Sequence, residues 1–187
     1  MDTEQASLFL SLLSFTALGI AIVVAALMLA GRTEQLAPIR DLLVPLALAI
    51  ALISTLGSLY YSAIVHFRPC RLCWWQRISM YPLVPILAVG LLRRDRAVAL
   101  YALPLSLMGL SWAIYHTQLR WWPEQGSSCE IDAACTSVWV NTFGFVSIPF
   151  MAGAGFLAIT ALLVASLRLN KNDQPLPTPE TELEAAR

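Results

Sequence analysis

The chain has 187 residues, about the length of one domain, and its formal net charge is zero. Hydrophobic residues make up 58% of it and charged residues 13%, whereas soluble proteins contain roughly 25% charged residues. This composition predicts an integral membrane protein. The absence of a basic excess argues against a nucleic-acid partner, because nothing would neutralise the phosphates.

Five apolar stretches, residues 6–30, 42–65, 73–92, 97–116 and 143–166, are long enough to cross a bilayer, which takes about 20 helical residues. The first is preceded by acidic residues, not by the basic residues of a signal peptide, so we expect it to be a true span. The third is long enough only if it starts near Cys73, which places Gln76 and Arg77 in its first turn. Pro82 and Pro85 predict a kink in this helix.

The loops between the spans differ in their content of lysine and arginine, and this difference indicates the orientation. With the N-terminus outside, the inner segments hold eight basic residues and the outer segments four. Both cysteine pairs, Cys70/Cys73 and Cys129/Cys135, then lie on the outer face, where disulfides persist. Residues 170–187 are rich in proline and glutamate and predict a disordered inner tail.

The four cysteines are the most informative residues of the chain. Cys70 and Cys73 form a Cys-x-x-Cys motif, and a helix N-terminus together with Arg77 would favour the thiolate of Cys73. Cys129 and Cys135 lie in the longest outer loop, beside acidic residues that raise a thiol pKa. Two pairs on one face predict a relay for electrons, in which each pair cycles between dithiol and disulfide.

Other uses of the cysteines are weighed against the relay. The two pairs could be structural disulfides, with Arg77 a simple interfacial arginine. A zinc site is disfavoured, because the spacing from Cys129 to Cys135 is unusual for zinc. Attachment of c-type haem is excluded, since Trp74 stands where the histidine is needed. We therefore expect no metal.

The first motif and its surroundings resemble a known family, that of disulfide bond formation protein B (DsbB). The resemblance rests on Cys70-Arg71-Leu72-Cys73, on Gln76-Arg77 and on Ile78-Ser79-Met80-Tyr81-Pro82. Residues 141–145 and Ile148-Pro149-Phe150 resemble its BdbC-like branch, and the similarity covers roughly residues 42–168. It implies a four-helix transmembrane bundle, since the family typically has four spans. We therefore expect an all-α polytopic membrane protein in which the first apolar stretch is one additional N-terminal transmembrane helix.

The resemblance also implies a role for each cysteine. Cys73 matches the cysteine that contacts a quinone, and Cys70 matches its disulfide partner. Arg77 matches the arginine that supports quinone binding. Cys129 matches the cysteine that forms a mixed disulfide with a soluble oxidase, and Cys135 matches the cysteine that resolves it.

The implied activity is reoxidation of a thioredoxin-like extracytoplasmic oxidase of the DsbA or BdbD type, with ubiquinone or menaquinone of a bacterial plasma membrane as electron acceptor. The domains are then 1–31 for the extra helix, 32–169 for the redox bundle and 170–187 for the cytoplasmic tail. The alternatives are a vitamin-K-epoxide-reductase-like quinone reductase and a membrane scaffold with two structural disulfides.

Two further residues are candidates for quinone binding. We interpret Gln76 as a pocket-lining residue and His66, at the outer end of the second span, as a hydrogen-bond donor to a quinone oxygen. His116 ends the fourth span on the same side, and we weigh it more as an interface residue than as a functional one.

Overall fold

The computed structural model describes residues 3–125 and 139–172. Within these two ranges the chain is helical apart from turns, a few coil residues and one isolated bridge between Thr142 and Val146. Cys129 and Cys135 lie outside the described residues, as do residues 173–187 of the predicted tail.

The α-helices of the described chain run over Thr3–Leu29 (α1), Arg40–Leu59 (α2), Arg71–Met80 (α3), Leu83–Leu92 (α4), Val98–Trp121 (α5) and Ile148–Asn172 (α6). A 3-10 helix at Thr33–Ile39 leads into α2, and a π-helical turn at Tyr60–Ile64 continues it. Five segments are long and apolar enough to cross a membrane, with α3 and α4 together forming the third. The predicted fold, an all-α multi-pass membrane protein with an additional N-terminal helix, is confirmed.

The third span begins earlier than the sequence predicts. Cys70 is the N-cap of α3, and its Sγ accepts the backbone N–H of Cys73 at 3.4 Å. Because the helix starts at Arg71, Gln76 and Arg77 lie in its second turn, not in the first, and that expectation was wrong.

The third span is broken at Tyr81 and Pro82, as the prolines predict. Pro82 has no N–H to continue the helical ladder, so α3 ends at Met80 and α4 starts at Leu83. The break lets the two halves pack differently: α3 lies mainly against α5, whereas α4 packs between α2 and α5.

The fifth span starts at Ile148, five residues after the predicted start at Phe143. Phe143 and Gly144 have positive φ values of 54° and 81°, so they form a turn. Thr142 and Val146 close this turn through two backbone hydrogen bonds of 3.0 and 2.9 Å. The apolar residues before Ile148 therefore belong to a loop at the end of the bundle that holds Cys70, which we call the cysteine end.

α6 is the central helix, and it contacts α1, α2 and α5. Its Phe156 is fully buried and lies against Gly109 of α5, where a Cβ atom would overlap the phenylalanine ring. A hydrogen bond of 2.6 Å joins Ser106 of α5 to Thr160 of α6. At the opposite end, which we call the arginine end, Asn170 of α6 is bonded to Arg40 and to the carbonyl of Arg96.

α1 packs against α6 through small side chains. Small residues let two membrane helices approach closely, and serines can return their hydroxyls to their own helix. Ser11 and Ser14 do so, with bonds of 2.6 and 2.7 Å to the carbonyls of Ser7 and Ser11. The buried face of α1 consists of Ala6, Ser7, Ser11, Ser14, Ala17, Ala21 and Val24. The additional helix is thus an integral part of the bundle.

Candidate active site

Cys70 and Cys73 lie side by side at the start of α3, where a cap residue and the third helical residue face each other. Their Sγ atoms are 2.9 Å apart, and both side chains carry free thiols. Cys70 is only 6% exposed and Cys73 is half-buried. A small movement would bring the sulfurs to the bonding distance of a disulfide, about 2.05 Å.

His116 contacts this pair from α5. Its Nε2 lies 3.8 Å from the Sγ of Cys70, and its Nδ1 lies 3.1 Å from the Nε2 of Gln76. Because the Gln76 amide nitrogen can only donate, Nδ1 accepts and the ring proton sits on Nε2, directed at the sulfur. His116 and Gln76 are both buried, at 3% and 6% exposure.

His116 lies within α5 and not at the end of the fourth span, where the sequence predicts it. The helix continues to Trp121, so His116 is more than one turn inside it. The signal that could have identified it is an ionisable residue within a membrane-spanning helix, which is costly there and therefore often functional.

The thiolate that this arrangement stabilises most directly is that of Cys70. A hydrogen bond from the thiol of Cys73 lowers the pKa of Cys70 well below its usual range, and His116 lowers it further, while burial opposes both. The sequence favoured the thiolate of Cys73, and that stays a prediction. Because α3 starts at Arg71, Cys70 occupies the cap position and is the sulfur that lies within reach of His116.

The same three side chains could hold a soft metal ion. The Sγ atoms of Cys70 and Cys73 and a ring nitrogen of His116 all lie within 4.8 Å of one another. A structural zinc site takes four ligands, and among the described residues this group offers three. A disulfide would use both sulfurs, so metal binding and disulfide formation exclude each other.

Arg77 is fixed by α2. Its Nε donates to the Oγ of Ser58 at 3.0 Å, and its Nη2 donates to the Ser58 carbonyl at 3.1 Å. Its guanidinium carbon also lies 5.4 Å from the centre of the Trp74 ring, a favourable cation–π position. These contacts fix the orientation of the guanidinium group next to the turn that carries Cys73.

A cavity of about 310 Å³ adjoins the cysteine pair. Five of its polar lining residues, Ser58, Cys73, Gln76, Arg77 and Tyr81, surround the start and the end of α3. Further polar lining residues are Ser14, Thr16, Ser54, Tyr61 and Arg68. Most of the remaining wall is apolar and comes from α1, α2 and α6, including Leu10, Leu13, Ala17, Ile20, Leu46, Ile50, Ile53, Met151, Ala152 and Phe156. The cavity is therefore mostly apolar, with polar side chains set into its wall.

Stacked aromatic rings line the cysteine end of the cavity. Phe67 stacks on Tyr61 with ring centroids 5.7 Å apart, and Trp139 stacks on Phe67 at 4.9 Å. All three side chains line the cavity. Trp139, from the segment before α6, is thereby part of the cavity wall.

Among the predicted site residues, the structure brings together Cys70, Cys73, Gln76 and Arg77. His66 is separate from them: its side chain is exposed, its φ is 60°, and it is not part of the cavity wall. Nothing in the local composition predicts this turn, which follows the π-helical end of α2.

Residues 40–166 match the protein family described as Disulfide bond formation protein DsbB. The chain belongs to the DsbB family. Two relatives of the chain within this family carry the name disulfide formation protein C. A probable disulfide formation protein C of Halalkalibacterium halodurans is 47% identical over 112 residues, which are 58% of this chain and 81% of that protein. The probable disulfide formation protein C 2 of Bacillus anthracis is 39% identical over 136 residues, 72% of this chain and 97% of that protein.

Membership in the DsbB family assigns this protein an oxidoreductase role in disulfide formation. The disulfide formation protein C relatives agree with the BdbC-like branch that the sequence motifs indicate. No solved structure matches the chain. The family match begins at residue 40, so α1 precedes it.

Proposed function

We propose that this DsbB-family protein is a protein-dithiol:quinone oxidoreductase, which reoxidises a thioredoxin-like oxidase outside the membrane. The observation that carries the proposal is that Cys73, whose sulfur lies beside that of Cys70, lines a mostly apolar cavity together with the fixed side chain of Arg77. The scaffold and vitamin-K-epoxide-reductase-like alternatives have no comparable observation in their favour.

The cavity suits a quinone in size and in chemistry. Small-molecule sites are typically about 300–1,000 Å³, mostly apolar, with a few polar groups that fix orientation. Here the polar groups include Cys73, Gln76 and Arg77, and the volume is about 310 Å³. When bound, ubiquinone or menaquinone would supply an acceptor for two electrons and two protons.

The proposed electron balance runs through two dithiol–disulfide exchanges. The partner's dithiol becomes a disulfide as Cys129–Cys135 is reduced, with Cys129 forming the mixed disulfide and Cys135 releasing it. The new dithiol then reduces the disulfide between Cys70 and Cys73. When that disulfide reforms, two electrons and two protons leave for the acceptor, so every exchange conserves both.

The residues around the pair prepare it for this transfer. Arg77 places a permanent positive charge where negative charge would develop on a ring oxygen, and such fixed charges are most effective away from water. His116 holds a proton on Nε2 against Cys70, and Gln76 fixes that tautomer. The Cys70 thiolate is thereby stabilised in the reduced pair.

Topology and domain limits are part of the proposal. Both cysteine pairs would lie on the extracytoplasmic face of a bacterial plasma membrane, with residues 170–187 in the cytoplasm. Residues 1–31 would be the extra N-terminal transmembrane helix, and residues 32–169 would be the four-helix redox domain against which it packs. Labelling of thiols from outside intact cells tests this orientation, and cytoplasmic exposure of Cys70 would overturn it.

Quinone absorbance tests the activity directly. Purified protein, a reduced thioredoxin-like oxidase and quinone are mixed, and we expect quinone loss that Cys73→Ser abolishes. A wild-type protein that consumes no quinone, or a Cys73→Ser variant that consumes it equally, would refute the proposal and favour the scaffold. Cys135→Ala should accumulate a mixed disulfide between Cys129 and the partner, visible on non-reducing gels.

A further inference from the structure

The cavity beside the cysteines has one wall that the DsbB family match does not include. The match begins at residue 40, whereas α1 ends at Leu29. We infer that α1 builds the tail-binding half of the quinone site and holds the first isoprenoid units of the substrate. This inference rests on the proposed function and adds to it the part of the quinone that the extra helix recognises.

One face of α1 follows the cavity over much of its length. The lining residues Leu10, Leu13, Ala17 and Ile20 recur every three or four positions, which places them on one side of a helix. From Leu10 to Ile20 this face extends for roughly 15 Å at 1.5 Å per residue. A ring held near Cys73 therefore leaves a long and mostly apolar space beyond it, with Ser14 and Ser54 as polar residues in its wall.

α1 is held firmly at the cysteine end of this space. The hydroxyl of Tyr61 donates to the Oγ of Ser7 at 3.0 Å. Leu10 lies so close to Gly57 that a Cβ atom there would be 3.2 Å from its Cδ2. Gly57 directly precedes Ser58, which fixes Arg77, so α1 packs against the helix turn that orients the cation.

An aromatic cluster provides a second anchor for α1. The ring of Phe15 lies 6.1 Å from those of Phe143 and Phe145 and 6.3 Å from that of Phe150. Phe143 and Phe145 belong to the turn before α6, and Phe150 belongs to the first turn of α6. The position of α1 is therefore coupled to the loop at the cysteine end.

The shape of the cavity favours a chain that continues into lipid. Thr16 of α1 lines the cavity and is exposed on the outside of the bundle, and Ile53 of α2 lines it and is 41% exposed. The cavity therefore reaches the lipid-facing surface between α1 and α2. An isoprenoid tail fits this arrangement, because it is apolar, is joined to the quinone ring and extends into the bilayer.

Blocking the apolar half tests the inference. Ala17 is buried and lines the cavity, so Ala17→Phe should fill the space for the tail. The matched control is Ala26→Phe, which adds the same ring at an exposed position of the same helix. Because Ala17 also packs in the core, Leu13→Trp at a half-buried lining position serves as a second blocking variant.

The measurement compares quinones that share one ring but carry no tail, one isoprenoid unit or many. We expect the blocking variants to raise KM for the tailed quinones about tenfold or more, a difference of about 1.4 kcal/mol. KM for the tailless quinone should stay within about twofold of wild type. Ala26→Phe should leave KM unchanged for every one of these quinones.

A binding measurement accompanies the kinetics. The amount of long-tailed quinone retained by purified protein should fall about tenfold in Ala17→Phe and stay at the wild-type level in Ala26→Phe. A photoreactive group on the tail should label the α1 peptide, whereas one on the ring should label the α3 peptide.

The outcomes separate the two proposals. Equal effects on tailed and tailless quinones, or tail labelling confined to other helices, would overturn the role of α1 and leave the proposed activity intact. A wild-type protein that neither binds nor reduces any of these quinones would overturn the proposed function itself.

Discussion

Replacing His116 with alanine should raise the pKa of the Cys70 thiol in the reduced protein. The His116 Nε2 lies 3.8 Å from the sulfur and carries the proton that faces it. Without this donor the anion loses part of its stabilisation, so the proton is held more tightly and the pKa moves up towards its usual value. It should remain lowered overall, because the larger contribution comes from the thiol of Cys73.

The size of the shift follows from the contact. A hydrogen bond to a charged group contributes about 1.5–3 kcal/mol, and one pKa unit corresponds to about 1.4 kcal/mol. Because 3.8 Å is a long contact, we expect the lower end, about 1 unit. His116→Gln keeps a side-chain donor and should give a smaller rise.

The assay is the ultraviolet absorbance of thiolate in reduced protein, followed from acidic to neutral pH in lipid nanodiscs. Replacing Cys129 and Cys135 with alanine removes the other two thiols from the signal. His66→Ala is the matched control, because His66 is exposed and no contact joins it to Cys70. An unchanged midpoint in His116→Ala, or an equal shift in His66→Ala, would refute the reasoning.

Two further substitutions test how the Arg77 side chain is held and how the core is packed. Ser58→Ala removes the acceptor of the Arg77 Nε–H and should lower kcat/KM for quinone roughly fivefold, for a loss of about 1 kcal/mol. The control is Ser111→Ala, which should have no effect, because the hydroxyl of Ser111 donates to a carbonyl of its own helix. Equal losses in both variants would contradict the role of Ser58. Gly109→Ala places a methyl group against Phe156 and should destabilise the protein by about 1–3 kcal/mol, seen as a lower thermal midpoint. Gly19→Ala meets no atom within 4 Å, so an equal drop there would refute the packing argument.

The sequence was sufficient for the features that depend on local composition. Hydropathy alone is enough to predict the five spans, since each is a continuous apolar segment. Pro82 predicts the break in the third span, because its missing N–H interrupts the hydrogen bonds of the helix at that point. The position of the Cys-x-x-Cys motif before an apolar segment predicts that the pair lies at the start of a helix.

Contacts between distant segments could not be read in this way. Cys70 and His116 meet because α3 packs on α5, and no periodicity in either segment encodes that pairing. The face of α1 that lines the cavity is as apolar as the faces that meet lipid, so hydropathy cannot distinguish them. The position of His66 could not be read for a related reason, because the left-handed turn that exposes it leaves no mark on composition.

The lipid-facing opening between α1 and α2 has a consequence for how rates must be expressed. A substrate that enters through Thr16 and Ile53 arrives from the hydrocarbon phase, so its effective concentration is a mole fraction within the membrane. Added detergent dilutes that phase without changing the total amount of quinone in the cuvette. At a fixed amount of quinone, the turnover rate should therefore fall as surfactant is added. Quinone titrations at different surfactant concentrations should coincide when the rate is plotted against the mole fraction of quinone in the surfactant or lipid phase.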